Sequence, residues 1–86
     1  MDYHAISGLL ANSKARMAGL KQVQRAILAS QVQAVVLAQD ADEPIAREVK
    51  AICAEHAVPC VMGPSKAALG AACRLQVGTA VAAILK

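Results

Sequence analysis

Eighty-six residues, 57% of them hydrophobic but only Tyr3 aromatic, must build a core from Ala, Val, Ile and Leu, which excludes modules that stack bases on an aromatic sheet. That length admits one small domain spanning residues 1–86, and at ~25 cal/mol per Å² of buried apolar surface it favours helices covering both faces of a central sheet. Nine Lys and Arg against six Asp and Glu give a net charge of +3, which permits a polyanionic partner without demanding one.

From Asp2 to Ala11, Ile6, Leu9 and Leu10 recur at helical spacing, with Asp2 placed to cap and Gly8 weakening the run. Asn12 and Ser13 should end it, and Lys14 to Ala18 can form a short strand. The next stretch, Gly19 to Ser30, is the most informative. At about 100° per residue Leu20, Val23 and Ile27 share one arc, while Lys21, Gln22 and Arg25 share another. A glycine before the run lets a ligand approach the first backbone N–H groups, whose partial positive charge suits phosphate or base-edge acceptors. An ordinary amphipathic surface helix has the same periodicity. Because Lys14, Arg16, Lys21 and Arg25 lie in a stretch free of acidic residues from Asp2 to Asp40, one end of the molecule should be positive.

Ala34-Val35-Val36-Leu37-Ala38 has the unbroken apolar character of a strand buried on both faces. Asp42 or Glu43 can cap the following helix, with Pro44 in its first turn. Ile45, Val49, Ile52 and Cys53 then form an inward stripe that must stop near Ala57, because the residue before Pro59 is pushed out of the α region. Val58 to Met62 reads as a second strand closed by Gly63-Pro64. Ser65 can cap a fourth helix that turns Leu69, Ala72 and Cys73 inward, and Val77 to Leu85 reads as a last central strand. Alternating strands and helices predict a three-layer α/β/α sandwich around a mixed sheet of about four strands.

Catalytic chemistry finds no support in these residues. Asp40, Asp42 and Glu43 suit a helix start better than a metal site, and His4 and His56 lie far apart with no partner nucleophile. Cys53, Cys60 and Cys73 lack Cys-x-x-Cys spacing and have apolar neighbours, so they read as buried, inert thiols. No metal and no cofactor are expected. With no basic segment followed by an apolar one, and no apolar run near ~18 residues, neither a leader nor a membrane partner is expected, and a cytoplasmic setting is.

Several segments, taken in order, resemble the kink-turn-binding ribosomal-protein family that contains the L-seven-Ae and L-thirty-e proteins and small bacterial relatives. They are Gly19-Leu20-Lys21-Gln22 with Arg25-Ala26; Val35 to Asp42 with Pro44; Val58-Pro59; Pro64-Ser65-Lys66 with Leu69-Gly70; and Val77-Gly78. The similarity spans about residues 15 to 85. It implies a monomeric, non-catalytic RNA-binding protein that clamps a kink-turn, a bent internal loop in which tandem sheared G·A pairs adjoin an extruded nucleotide, in rRNA, a riboswitch or another structured RNA rather than in DNA. By the same resemblance Gly19 and Leu20 mark the helix start that meets the RNA, Lys21 and Gln22 read the G·A pairs, and Arg25 contacts guanine or phosphate. Met62, Gly63 and Pro64 would pack on the extruded base, and Lys14 and Lys66 would reach phosphate or remain solvated. The chain departs from the family pattern at Leu20, where Thr or Ser is common, at Arg74, where Gly is common, and in the Met62–Pro64 loop, which is less apolar than in several relatives. Leu20 and that loop leave open a second reading, a ribosome-associated protein-interaction factor that kept the fold but lost kink-turn specificity.

Overall fold

The apolar run around Val35 becomes the strand on which the sheet is assembled, β2 (Val32–Leu37). In the computed structural model, which describes residues 2–12 and 14–86, β2 pairs antiparallel with β4 (Val81–Leu85) and parallel with β3 (Cys60–Met62). β1 (Arg16–Ala18) pairs antiparallel with the other side of β4, so the strand order is β1-β4-β2-β3. Alternation along the two central strands then sorts the core into two layers. Ala34, Val36, Ala82 and Ile84 meet Ile6, Leu10, Leu69 and Cys73 on one face. Val35, Leu37, Val81 and Ala83 meet Val23, Ile27, Val49 and Cys53 on the other.

The first face is covered by α1 (Tyr3–Ile6), a 3₁₀ segment (Ser7–Ala11) and α4 (Lys66–Ala72), the second by α2 (Leu20–Leu28) and α3 (Glu43–Glu55). The expected α/β/α sandwich with a four-stranded mixed sheet is the architecture observed. β2 starts two residues earlier than the apolar run suggests. Its pairing with β4 shifts between Val32 and Ala34, and the extra residue, Gln33, lets Val32 join the α2/α3 layer. The first helix is shorter than the pattern from Asp2 to Ala11 indicates: after Ile6 the chain tightens into the 3₁₀ segment, with Gly8 inside it. Ser13, expected to help end that helix, lies outside the described residues.

Helix ends follow a common device. α2, α3 and α4 each close with the N–H two residues past the cap bonded back to the last turn: Gln31 to Ala26, Val58 to Cys53 and Leu75 to Gly70, at 3.0, 2.8 and 2.9 Å. The motif requires a left-handed residue, and Ser30, Ala57 and Arg74 supply it with φ of 57°, 56° and 62°. None is glycine, so each carries strain that glycine would relieve. Arg74→Gly should therefore raise the unfolding free energy by about 1 kcal/mol, seen as a melting temperature about 4–8 °C higher. A fall would mean that the exposed Arg74 side chain contributes more than its backbone strain subtracts.

Candidate nucleic-acid interface

The C-terminal ends of β1, β2 and β3 and the start of β4 share one pole of the sheet, since Ala18 pairs with Ala82, and Leu37 with both Val81 and Met62. At that pole α2 begins. Gly19 turns the chain from β1 into the helix with φ of 97° and ψ of 143°, a conformation that essentially only glycine adopts. A Cβ there would meet nothing within 4 Å, so the demand for glycine is conformational rather than steric.

Helix starts leave their first N–H groups without intrahelical partners, and α2 differs from its neighbours in how these are met. Asp2 caps α1 through the Ala5 N–H at 2.9 Å. α4 is capped twice: the Ser65 hydroxyl accepts from the Ala68 N–H at 3.2 Å, and the Asp40 carboxylate accepts from the Lys66 N–H at 2.7 Å. α3 opens with Asp42 at the cap position, and although its carboxylate makes no capping hydrogen bond there, Glu43 stands in the first turn and Pro44 removes one donor. Gly19 offers α2 no side-chain cap, and no acidic residue sits in its first turn. Its leading amides and the positive end of its dipole are left for an anion or a base-edge acceptor.

The polar face of α2 is equally uncommitted. Lys21, Gln22 and Arg25 are exposed, and the one ion pair among the described residues joins Arg47 to Glu43 at 3.2 Å on α3. Gln24, by contrast, is spent on Glu48 at 2.8 Å, which fastens α2 to α3. Leu20 is half-buried against the core beneath.

Next to this helix start lies a loop that the sequence pattern assigns to a strand. Val77 to Ala80 does not extend β4; the strand begins at Val81, and Val77 is 72% exposed. Three contacts hold the loop. The Gly19 N–H and the Thr79 hydroxyl both donate to the Val81 carbonyl, at 3.1 and 2.9 Å, and the Thr79 N–H donates to the Lys66 carbonyl at 3.1 Å. α4 also presses on it at Gly70, where a Cβ would collide with the Val77 carbonyl oxygen. An exposed apolar side chain and the uncapped helix start are thus tied to the same Val81 carbonyl.

The other expected site residues fall elsewhere. Met62, Gly63 and Pro64 reach the same pole but at the opposite edge of the sheet, three inter-strand spacings from β1, about 14 Å. There Gly63 donates to the Leu37 carbonyl at 2.8 Å, and the segment lines a cleft of about 400 Å³ with Asp2, Tyr3 and His4. Lys66 opens α4 beside the Thr79 loop and so stays near the helix start. Lys14 does not. Neighbouring Ala15 bonds Leu85 at the far end of β4, at 2.8 Å, which places Lys14 at the other pole. Arg16 turns its guanidinium to the Leu10 carbonyl at 3.4 Å. The single positive end expected from the sequence is therefore divided, because β1 runs from one pole to the other between Arg16 and Lys21.

Val77 is the residue that sequence reasoning passed over. Gly70 was the available signal, since a glycine inside a helix marks a close backbone approach, here by the Val77–Gly78 segment.

The chain matches the model of the "Ribosomal protein L7Ae/L30e/S12e/Gadd45 family" over residues 5–86. It is 43% identical over 68 residues to the RNA-binding protein YbxF of Geobacillus stearothermophilus, a span that takes in 79% of this chain and 83% of the relative. It is 35% identical over the same length and shares to an RNA-binding protein of Caldanaerobacter subterraneus. Among solved structures it is similar to a 15.5kD RNA binding protein of Giardia lamblia, with a TM-score of 0.84 and 30% identity across 94% of this chain and 71% of that one. A protein of unknown function from Bacillus halodurans shares the fold at a TM-score of 0.85 and 23% identity, covering 98% of this chain and 84% of that one.

Proposed function

Since the chain belongs to the ribosomal protein L7Ae/L30e/S12e/Gadd45 family, we propose that it binds structured RNA without catalysing a reaction, and that the element it grips is a kink-turn. The observation that carries this reading is the uncapped start of α2, with Lys21, Gln22 and Arg25 unpartnered beside it and the exposed Val77 loop attached to the same carbonyl.

Each part has a chemical task. The first-turn amides of α2 take acceptor atoms where the RNA backbone bends closely, and Gly19 keeps a side chain out of the way. Gln22 offers both a donor and an acceptor, which suits the exposed edges of sheared G·A pairs. Arg25 can fork onto guanine or a phosphate, and Lys21 supplies a point charge to the backbone. Val77 offers an apolar contact for a base splayed out of the stack, a task the resemblance assigned to Met62, Gly63 and Pro64.

Two surface variants separate these loops. Val77→Asp should weaken binding of a kink-turn RNA at least about tenfold, ~1.4 kcal/mol, while Met62→Asp, on the edge strand β3, should change it by less than about twofold. Titration of a labelled RNA at fixed salt reads both. The reverse ranking would return the base contact to the Met62 edge. If neither variant nor wild type distinguishes a kink-turn from a straight duplex, the protein-interaction reading takes its place.

A further inference from the structure

The three cysteines are not the uniform set of buried thiols that the sequence suggests: Cys53 and Cys73 are buried, but Cys60 is exposed. Cys73 packs in the α1/α4 layer. The other two face each other. Cys53 belongs to the α2/α3 layer, and on β3 it is Val61 that points into the α1/α4 layer, so alternation turns Cys60 toward α3. The turn between them folds back tightly through the Val58 N–H bond to the Cys53 carbonyl at 2.8 Å, so the end of α3 and the start of β3 lie side by side with the two cysteines on their facing sides.

We propose that Cys53 and Cys60 form a dithiol modification site, in which a small-molecule disulfide such as oxidised glutathione converts the pair to an intramolecular disulfide linking the end of α3 to the start of β3. The Cys60 thiolate attacks one sulfur of the small disulfide, whose S–S bond breaks and releases one small thiolate. Cys53, as thiolate, then attacks the Cys60 sulfur and displaces the second. Two protein thiols lose two electrons, the small disulfide gains them, and the two protons leave with the two small thiols. The order of attack follows from access, since Cys60 alone of the pair meets solvent.

The electrostatics fit a slow, pH-driven exchange rather than a rapid sensor. Burial raises the Cys60 thiol, an effect offset in part by the neighbouring Cys53 thiol and by the charge of Lys50. Cys53 is pushed up to about 12, first by burial and then by proximity to Cys60. Raised values leave little thiolate at neutral pH, so the rate should climb as the solution becomes more alkaline.

The folded protein, incubated with oxidised glutathione over a series of pH values and followed by intact mass and peptide mapping, tests this. The expected product is a monomer lighter by two hydrogen atoms, with Cys53 and Cys60 in one linked peptide, reversed by dithiothreitol. It should form faster at higher pH and melt several degrees above the reduced protein, because the link constrains the unfolded chain. A glutathione adduct should be visible as a transient on Cys60, and Cys53→Ala should trap it. A stable adduct on Cys60 in the wild-type protein, a disulfide joining two copies, or no reaction at any pH would overturn the proposal. The wild-type time course decides it even if Cys53→Ala fails to fold.

Discussion

Arg25→Ala should weaken binding of a kink-turn RNA by about 1–3 kcal/mol, a loss of roughly 5- to 150-fold, while the unfolding free energy changes by less than ~0.5 kcal/mol. The separation between the two readouts follows from where Arg25 sits. Its side chain is exposed, no carboxylate engages it, and it lies on the face of α2 opposite Val23 and Ile27, which carry the packing. Its structural contribution is a favourable interaction with the C-terminal half of a nine-residue helix, worth about 0.3 kcal/mol at an exposed position. Arg25→Lys distinguishes the two roles open to the guanidinium. A phosphate contact tolerates lysine and keeps its salt dependence, whereas a bidentate contact to guanine does not. If Arg25→Ala binds as tightly as wild type, the polar face of α2 is an ordinary solvated surface, as its periodicity alone would allow.

Gly70→Ala should destabilise the fold by roughly 1–3 kcal/mol and lower RNA affinity with it. Two effects oppose each other at this position. Alanine is a better helix former than glycine by about 1 kcal/mol, and in an open helix the substitution would stabilise. Here, however, the new methyl group would strike the Val77 carbonyl oxygen and stand 2.9 Å from the Gly78 Cα, both backbone atoms that no rotamer change can move. Overpacking wins because the loop is fastened to α4 itself by the Thr79 N–H bond to the Lys66 carbonyl, and also to the Val81 carbonyl that anchors Gly19. Relief therefore requires the Val77 loop to shift away from α4 and so to change its position relative to the start of α2. Thermal unfolding and RNA titration together read the result: a higher melting temperature with unchanged affinity would show that the loop is free to move and plays no part in positioning the interface.

Much of the architecture was legible in the sequence because local signals and tertiary environment agree. Val35, Val36 and Leu37 read as a doubly buried strand and lie at the sheet centre. Pro44 stands in the first turn of α3, Ser65 caps α4, and Gly19 marks the start of α2. What was not legible depends on contacts distant in sequence. Asp40 looked like part of the α3 start, yet its carboxylate serves the Lys66 N–H twenty-six residues on. Val77 to Ala80 carries the same apolar signature as the strand that follows, but the close approach of Gly70 and the Thr79 hydrogen bonds to Lys66 and Val81 hold it as a loop. Lys14 and Arg16 precede Gly19 closely along the chain, but β1 carries them to the other pole. Adjacency in sequence misled there because an extended strand gains about 3.3 Å per residue.

The central claim, that the open start of α2 and its cationic face hold a bent RNA, is tested most directly by one comparison. The wild-type chain is titrated, at a single stated salt concentration, against a kink-turn RNA and against the same RNA with its tandem G·A pairs replaced by Watson–Crick pairs. A preference for the kinked RNA of at least about 100-fold, ~2.7 kcal/mol, is the expected result. Equal affinity for the two RNAs would contradict it.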